Sequence, residues 1–441
     1  MRFGTAGIRK IVSEEFNEST MDFIATVLSR ISNTVVVGHD GRIHSDSLSR
    51  ALISGLKREG VDVLFLGLAP TPVISFAVKY FGADLGVAIT ASHNPAEYNG
   101  IKIIGRDGRD LRRDEEIELE ELFQKRLQRK YLYTGRIINA SEIIRKEYIE
   151  YVLRFVEKAF TVEPCRVLFD PANGVTALYT PKILSELGHT VITVNSHIDG
   201  RFPGRTPEPS EHNIMKYIRL MKPTGTALYI GQDGDGDRVA VGMMGRHIIE
   251  DYVTAAFIKI CSEKFSGSKV IMSPNISPHV YEYAKSLGLR TEMRPLGYLH
   301  EGLSGDTLMA SEPWKIMIKD FGLWFDGIMS AAVLSVNISA IESVINHLPK
   351  LYKTTINIKL KDMSLAGKII ENVVNTLKCS IKSHVKKEPW GIRVFSENWW
   401  VLMRPSGTEP KVRIYIESTS KELFERLTKI IRGVIDKWST I

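Results

Sequence analysis

A serine in a tight turn is the first residue of this chain that could do chemistry. Ser92 lies in the segment Thr90-Ala91-Ser92-His93-Asn94-Pro95, directly after the apolar run Leu85–Ile89. Ser, Asn and Pro each favour turns for backbone reasons of their own, so the segment alone is better explained as a polar turn. The apolar run, however, predicts a buried strand, and functional groups of open α/β sheets gather beyond the carboxyl ends of strands. Ser92 is therefore a candidate nucleophile.

An acidic loop further along the chain is a candidate metal site. Asp233, Asp235 and Asp237 alternate with glycine, which allows a tight loop to turn several carboxylates toward one point. Three acids this close repel one another unless a positive charge neutralises them, and Mg²⁺ prefers oxygen ligands. An EF-hand is excluded, because its sixth and twelfth positions would be Arg238 and Met244 instead of Gly and Glu. We predict that the three aspartates bind Mg²⁺ and that Arg238 holds a phosphate or the loop itself.

A third segment has the composition of an anion site. Arg404, Ser406, Gly407 and Thr408 offer a planar cation, two hydroxyls and a backbone whose amides can point at an anion. The same segment also reads as a Pro/Gly/Ser turn between two strands. Arg413 is either a second phosphate contact or a surface strand residue. A serine, a divalent cation and a phosphate clamp are the parts that phosphoryl transfer needs.

The bulk composition indicates a globular protein of several domains. The chain has 441 residues, which exceeds the roughly 250–300 residues at which single hydrophobic cores stop growing. Its net charge of +7 suits an anionic ligand, but the basic residues are scattered and do not imply nucleic acid. Cys165, Cys261 and Cys379 are too far apart for a disulfide framework or zinc site, and we expect buried small hydrophobes. With neither a signal-peptide core nor a membrane-length apolar run, we predict a cytoplasmic enzyme without membrane partners.

The elements that must position these residues follow a repeated pattern. Apolar strands that run into polar turns occur at residues 35–40, 167–171 and 270–274, and each is followed by a helix-like segment and a second strand after a glycine. This βαβ pattern predicts parallel sheets flanked by helices. After residue 351, alternating strands and two helix-like segments, the last beginning at Lys421, indicate a small α+β domain. The predicted fold is α/β, with three similar mixed α/β domains and a C-terminal α+β domain, at residues 1–142, 143–245, 246–352 and 353–441.

Taken in order, these segments resemble the α-D-phosphohexomutase superfamily, which contains phosphomannomutase/phosphoglucomutase and phosphoglucosamine mutase. Phe3-Gly4-Thr5-Ala6-Gly7-Ile8-Arg9 is similar to the family's amino-terminal signature, and residues 90–102 match its phosphoserine loop. The resemblance covers essentially the whole chain. It implies four domains around a central cleft, the fourth of which closes over the substrate.

The resemblance also implies a reaction cycle. A phosphate on Ser92 passes to a sugar hydroxyl, and the opposite phosphate of the bisphosphorylated intermediate returns to Ser92. A phosphate oxygen on Ser92, together with the three carboxylates, could supply most of the Mg²⁺ ligands, and hexose 1,6-bisphosphate would act as activator. A serine in this role is expected to be exposed and near groups that move protons. Of these, Lys102 is favoured and Arg9 more weakly, whereas His93 is a second local candidate that more often serves as a hydrogen-bonding support.

The sugar-reading loop departs from the family pattern. A Gly-Glu followed after one residue by Ser-Gly, and often a histidine, is usual there, whereas this chain has Ser311-Glu312-Pro313-Trp314-Lys315-Ile316. Glu312 remains a candidate to bind adjacent sugar hydroxyls. Trp314 would either stack on the sugar or pack internally, and Lys315 would either bind phosphate or face water. The amino-terminal signature also departs, with Ala6 where an acid is common and Lys10 where a glycine is usual.

The sequence therefore predicts a phosphohexomutase that acts on glucose and mannose phosphates. Tyr98 in the serine loop favours that branch, whereas the altered Glu312 loop weakens the preference. Phosphoglucosamine mutase is the nearest alternative. A sugar phosphatase and a non-catalytic sugar-phosphate binder are further alternatives, and a homodimer is left open.

Overall fold

The computed structural model describes residues 2–4, 7–13, 16–125, 134–360, 362–405 and 411–436. Three of the predicted phosphate-binding residues, Ser406, Gly407 and Thr408, lie outside these ranges, as does Ala6. The described chain forms four β-sheets with helices packed against them.

The first sheet and its helices are built from residues 8–139. In chain order, the elements are β1 (Ile8–Ile11), α1 (Glu18–Leu28), β2 (Thr34–His39), α2 (Ser45–Arg58), β3 (Asp62–Leu68), α3 (Thr71–Phe81), β4 (Leu85–Ile89), β5 (Tyr98–Ile104), α4 (Arg113–Gln124) and β6 (Ile137–Asn139). The strand order is β1-β5-β4-β2-β3-β6. All five residues of β4 are buried, as the apolar run predicted.

A long helix leads into the second sheet. The elements are α5 (Ser141–Ala159), β7 (Arg166–Asp170), α6 (Thr180–Glu186), β8 (Thr190–Thr193), α7 (Glu211–Ile218), α8 (Met221–Thr224), β9 (Leu228–Gln232), β10 (Val239–Met243), β11 (Arg246–Ile248) and α9 (Glu250–Lys264), with a short 3-10 helix at Val175–Leu178. The strand order is β11-β10-β9-β7-β8.

The third sheet has four strands. The elements are β12 (Lys269–Met272), α10 (Pro278–Ser286), β13 (Arg290–Met293), β14 (Thr307–Glu312), β15 (Lys315–Ile318), α11 (Gly327–Ser335) and α12 (Ile338–His347), with a 3-10 helix at Leu299–Gly302. The strand order is β13-β12-β14-β15. The Asp326 carboxylate caps α11 by accepting hydrogen bonds from the amides of Ile328 and Met329.

The three sheets repeat one topology. In each sheet the first strand of the unit lies between the second and third strands, parallel to both. The fourth strand pairs antiparallel with the third, which gives the orders β3-β2-β4-β5, β8-β7-β9-β10 and β13-β12-β14-β15. This confirms the repeat predicted from the sequence, and the antiparallel member makes each sheet mixed. Every unit thus contains a hairpin between its third and fourth strands.

The C-terminal unit is different. Its elements are β16 (Tyr352–Lys359), α13 (Leu365–Ser380), β17 (His384–Glu388), β18 (Gly391–Ser396), β19 (Trp399–Pro405), β20 (Lys411–Ser418) and α14 (Lys421–Asp436). The sheet is antiparallel throughout, in the order β16-β20-β19-β18-β17. It has a hydrophobic core of its own with α13 and α14, whereas one continuous core runs through the first three sheets.

The three cysteines differ in exposure. Cys261 is buried and Cys165 is half-buried, but Cys379 is exposed, so the expectation of burial is wrong for Cys379. Cys379 lies two positions after the buried Leu377 of α13, which places it on the opposite side of the helix.

Among the helices in the described ranges, none is by itself long and apolar enough to cross a membrane. The helices α11 and α12 meet those criteria only when joined across a bend of 86°. Every residue of α11 is buried in the protein.

Candidate active site

The site is assembled from the equivalent hairpin of each repeated unit. The β4–β5 loop carries Ser92, the β9–β10 loop carries the three aspartates, and the β14–β15 turn follows Glu312 and precedes Lys315. Ser92 Oγ donates to Asp233 Oδ2 at 2.9 Å, and Lys315 Nζ donates to Asp237 Oδ2 at 2.8 Å. The repeated topology therefore brings together three segments that are far apart in the chain.

Ser92 is held in a left-handed backbone conformation, with φ of 52°. Its amide donates to Thr90 Oγ1 at 2.8 Å, and its hydroxyl faces Asp233. The residue is fully buried, so the expectation of an exposed serine is wrong. The reason is that the aspartate loop packs on the serine loop: a Cβ built on Gly234 would lie 2.8 Å from the Ser92 carbonyl oxygen.

The three aspartates fit a divalent cation. Each offers a carboxylate oxygen within 4.8 Å of the others, and all three residues are buried. Asp233 Oδ1 accepts the amides of Gly236 and Arg238, which fixes the loop, and Gly236 supplies the positive φ of 78° that the turn requires. Asp235 Oδ1 and Asp237 Oδ1 are buried and have no hydrogen-bond partner in the part of the chain that the structure describes. Buried carboxylate oxygens without donors are suited to Mg²⁺ coordination.

Lysines balance much of the negative charge. Lys102 Nζ donates to Asp235 Oδ2 at 2.6 Å and to Asp237 Oδ2 at 2.8 Å, and Lys315 shares the latter oxygen. Burial opposes the Lys102 ammonium form, but Asp235 and Asp237 raise its pKa above the ordinary value. Burial likewise opposes ionised Asp237, but Lys102 and Lys315 hold the pKa of Asp237 well below its usual range. Lys102 is thus a protonated group bound to two of the three aspartates.

His93 and Arg9 line the other side of the serine. His93 Nδ1 lies 3.4 Å from Ser92 Oγ and 3.4 Å from Arg9 Nη1. Arg9 Nη1 also donates to Asn94 Oδ1 at 3.0 Å. Burial, followed by the charges of Arg238 and Arg9, lowers the pKa of His93 well below its ordinary value. The imidazole is therefore neutral, with one ring nitrogen able to donate and the other able to accept a hydrogen bond.

The predicted sugar loop lies beside the aspartates. Glu312 Oε1 accepts the amide of Gly297, and Glu312 ends β14 in a buried position. Trp314 adopts a positive φ of 65° in the turn, and the guanidinium of Arg238 lies 5.6 Å from its ring centroid. Trp314 is half-buried and packs against the hydrophobic cluster beside the second sheet, and Lys315 bonds an aspartate instead of facing water.

The two arginines of the C-terminal sheet are cross-strand partners. Arg404 on β19 and Arg413 on β20 lie directly opposite each other, so their side chains project from the same face. Their Nε atoms are both buried and have no hydrogen-bond partner among the described residues. Like charges in directly opposed positions destabilise a sheet, and an anion between them removes that repulsion. Of the two alternatives for Arg413, the geometry fits an anion contact.

Sequence reasoning missed three residues that hold the site. Thr71, at the start of α3, donates its hydroxyl to Asp235 Oδ2 at 2.6 Å. Asp40 and Arg42, just after β2, form a buried ion pair whose Nε–Oδ2 distance is 3.0 Å. The sequence does show a carboxylate at the end of a strand with an arginine two residues later. It does not show which groups these two side chains bond.

Comparisons with known proteins agree with this arrangement. Residues 1–130 match the family described as phosphoglucomutase/phosphomannomutase, alpha/beta/alpha domain I, residues 146–244 match domain II, and residues 356–434 match the C-terminal domain. The chain is 34% identical to a phosphopentomutase of Thermococcus kodakarensis, with 98% of each chain covered. It is 34% identical to a phosphoglucomutase/phosphomannomutase of the same organism, with 95% of each covered. It is 33% identical to a phosphoglucosamine mutase of Methanocaldococcus jannaschii, with 98% of each covered.

Solved structures share the fold. A phosphoglucomutase/phosphomannomutase family protein from Burkholderia thailandensis superposes with a TM-score of 0.82 at 24% identity, covering 99% of this chain and 97% of that one. An N-acetylphosphoglucosamine mutase of Aspergillus fumigatus, in complex with GlcNAc-6P and magnesium, superposes with a TM-score of 0.60 at 14% identity, covering 99% and 96%. The chain belongs to the α-D-phosphohexomutase superfamily and is an intramolecular phosphotransferase of the isomerase class.

Proposed function

We propose that this protein interconverts hexose 1-phosphates and hexose 6-phosphates of glucose and mannose, with Ser92 as the carrier of the phosphoryl group. The observation that carries the proposal is the 2.9 Å hydrogen bond from Ser92 Oγ to Asp233 Oδ2, because it joins the nucleophile to the aspartate triad. A merely structural turn would gain little from burying its hydroxyl against one of three closely spaced carboxylates.

The triad would hold Mg²⁺ through Asp235 Oδ1, Asp237 Oδ1 and an oxygen of Asp233, together with a phosphate oxygen on Ser92. Such an ion would neutralise charge that develops on the transferring phosphoryl group. Once Ser92 is phosphorylated, it has no hydroxyl to donate to Asp233, so Asp233 Oδ2 becomes available as a metal ligand.

Each transfer exchanges one O–P bond for another. A sugar hydroxyl attacks phosphoserine, the new sugar O–P bond forms and the Ser92 Oγ–P bond breaks. The proton of the sugar hydroxyl passes through a protein base to the leaving Ser92 Oγ, which becomes a hydroxyl again. The second half-reaction reverses these roles at the other end of the bisphosphate, so no water is consumed. Hexose 1,6-bisphosphate is therefore both intermediate and activator.

Proton transfer falls to groups beside Ser92. Lys102 is our first candidate on the substrate side. A metal ion that takes up the charge of Asp235 and Asp237 would weaken the two interactions that keep Lys102 protonated, so that Lys102 could give up a proton and accept another. Neutral His93, with Nδ1 at 3.4 Å from Ser92 Oγ, supports the serine by hydrogen bonding. Arg9 and Arg238 bracket that imidazole and are suited to hold the reacting phosphate.

Substrate recognition is assigned to residues of the third and C-terminal units. We infer that Glu312 binds adjacent sugar hydroxyls and that Arg404 and Arg413, with Ser406, Gly407 and Thr408, hold the phosphate that is not reacting. Lys315 would contact the substrate phosphate when a metal ion takes over its bond to Asp237. A cytoplasmic location, a homodimer and the division into units at residues 142, 245 and 352 remain predictions.

A direct assay tests the reaction. Purified protein is incubated with glucose 1-phosphate, Mg²⁺ and a trace of glucose 1,6-bisphosphate, and glucose 6-phosphate and free phosphate are measured. We expect glucose 6-phosphate, with activity abolished by Ser92→Ala. Free phosphate as the main product would indicate a sugar phosphatase, and no turnover of any sugar phosphate would indicate a binder. Full activity in Ser92→Ala would remove the nucleophile.

The same assay ranks substrates. Mannose 1-phosphate and glucosamine 1-phosphate are compared with glucose 1-phosphate at equal concentration. The phosphopentomutase relative at 34% identity makes ribose 1-phosphate a necessary fourth substrate. A higher kcat/KM for glucosamine 1-phosphate or ribose 1-phosphate would replace the hexose assignment while leaving Ser92 chemistry in place.

A further inference from the structure

The guanidinium of Arg42 lies under the serine loop and uses all five of its N–H groups there. Nη2 donates to the carbonyl oxygens of Ser92 at 2.9 Å and Asn94 at 2.6 Å. Nη1 donates to those of Pro95 at 2.6 Å and Tyr98 at 2.9 Å. Four backbone carbonyls across the turn thus converge on one planar cation, which is only 3% exposed as a residue.

Asp40 anchors this cation. Its Oδ2 accepts from Arg42 Nε at 3.0 Å and from Thr90 Oγ1 at 2.7 Å, and its Oδ1 accepts from Ser45 Oγ at 2.6 Å. Thr90 Oγ1 in turn accepts the Ser92 amide at 2.8 Å. The chain of bonds runs from the end of β2 to both sides of Ser92, whose positive φ of 52° is an unfavourable conformation for a residue with a side chain.

A second layer ties the cation to the aspartate side of the site. The Arg42 Cζ atom lies 4.9 Å from the ring centroid of Phe202. The same ring packs against the aspartate loop, as shown by the 3.5 Å that would separate it from a Cβ built on Gly234. Arg42 therefore lies between the loop that carries the serine and a residue that contacts the loop that carries the aspartates.

We propose that Arg42 is a positioning residue for phosphoryl transfer, which fixes the serine loop so that Ser92 Oγ faces Asp233. Nothing in the geometry lets Arg42 touch the reacting atoms, since its donors are all taken by Asp40 and by backbone carbonyls. The inference rests on the proposed function of Ser92. A lysine cannot replace the guanidinium, because one ammonium cannot span four carbonyls arranged along the turn.

The experiment compares the Arg42→Lys variant with the wild type and with Arg50→Lys, an exposed arginine with an i,i+4 partner at Asp46. Phosphorylation of Ser92 by glucose 1,6-bisphosphate is followed in a single turnover by intact mass, and steady-state kcat and KM are measured on the folded fraction. We expect Arg42→Lys to lower the transfer rate and kcat by about 100-fold with KM changed by less than about threefold. Arg50→Lys should match the wild type.

Chemical rescue separates positioning from a merely structural role. In Arg42→Gly, added guanidinium ion should raise the transfer rate at least about tenfold over an equal concentration of ammonium ion, because only the planar cation recreates the forked hydrogen bonds. Equal effects of both ions would overturn the proposal. So would an Arg42→Lys protein of lower melting temperature that still transfers phosphate at the wild-type rate.

A milder variant covers the case in which Arg42 substitutions do not fold. Asp40→Asn retains the guanidinium but weakens its anchor, and we expect its transfer rate to fall about tenfold with KM unchanged. A wild-type rate in Asp40→Asn would overturn the proposal. If the wild type itself takes no phosphate from the bisphosphate onto Ser92, the proposed function fails, whatever the Arg42 variants do.

Discussion

The carboxyl of Glu417 is expected to make the attachment of the C-terminal sheet sensitive to pH. Glu417 Oε1 accepts from Ser277 Oγ of the third unit at 2.6 Å and from Trp400 Nε1 at 2.8 Å. Lys353 Nζ lies 4.0 Å from Oε2 and bonds Asp251 at 2.5 Å. Burial, followed by the charge of Asp251, raises the pKa of Glu417 to about 7.

The magnitude follows from linkage. The folded pKa is about 7 and the ordinary value is 4.5, so the free energy of unfolding is about 3.4 kcal/mol larger at a pH below both values than at a pH above both. Because the folded pKa is raised, this contribution is fully present below pH 4.5 and is lost as the pH rises through 7. Between pH 6 and 8.5, we expect about 1.4 kcal/mol of it to disappear. The other charged groups that face this cluster are Glu250 and Arg393, and their effects are shared by the variant below.

The perturbation is Glu417→Gln, which stays neutral at every pH and retains an oxygen that accepts from Ser277 and Trp400. Urea unfolding, followed by tryptophan fluorescence, is measured for the wild type and the variant from pH 6 to 8.5. The stability of the wild type minus that of the variant should fall by about 1.4 kcal/mol across this range. Glu425→Gln, an exposed carboxylate on α14, is the control and should show a constant difference. A pH-independent difference for Glu417→Gln, or one that rises with pH, would refute the reasoning.

Three further predictions concern the site. Lys315→Met removes a cation that bonds Asp237 Oδ2 and competes with a metal ion for the charge of Asp237. Titration calorimetry should therefore show Mg²⁺ binding at least about tenfold tighter than in the wild type. An unchanged affinity would contradict the role given to this lysine. Arg413→Gln removes the repulsion between Arg413 and Arg404 and should stabilise the ligand-free protein by about 0.2–1 kcal/mol. The same variant should have a higher KM for the sugar phosphate with little change in kcat. An unchanged KM would show that the two arginines do not bind the substrate. Chelation with EDTA should abolish turnover, and Mg²⁺ should restore it, whereas activity that persists after dialysis against EDTA would argue against a metal at the triad.

Particular elements show how far the sequence alone leads. The run Leu85–Ile89 was predicted as a buried strand and is one, because a continuous apolar segment must be covered on both faces. The alternatives for Lys315 were phosphate or water, and its actual partner, Asp237, lies 78 positions earlier. The expectation that Ser92 would be exposed was wrong for the same reason: the Gly234 backbone that covers it belongs to another unit of the fold.

The sequence by itself identified the candidate site residues, since a serine turn, an alternating Asp-Gly loop and an arginine beside a Gly-rich turn are local patterns. It also determined the repeated units, because hydrophobic periodicity and turn residues act over short distances. Only the tertiary structure decided that the same hairpin of each unit supplies the site, and that Arg42 binds four carbonyls of the serine loop. Such contacts depend on how the sheets pack against one another, and this packing cannot be inferred from residue type or from spacing along the chain.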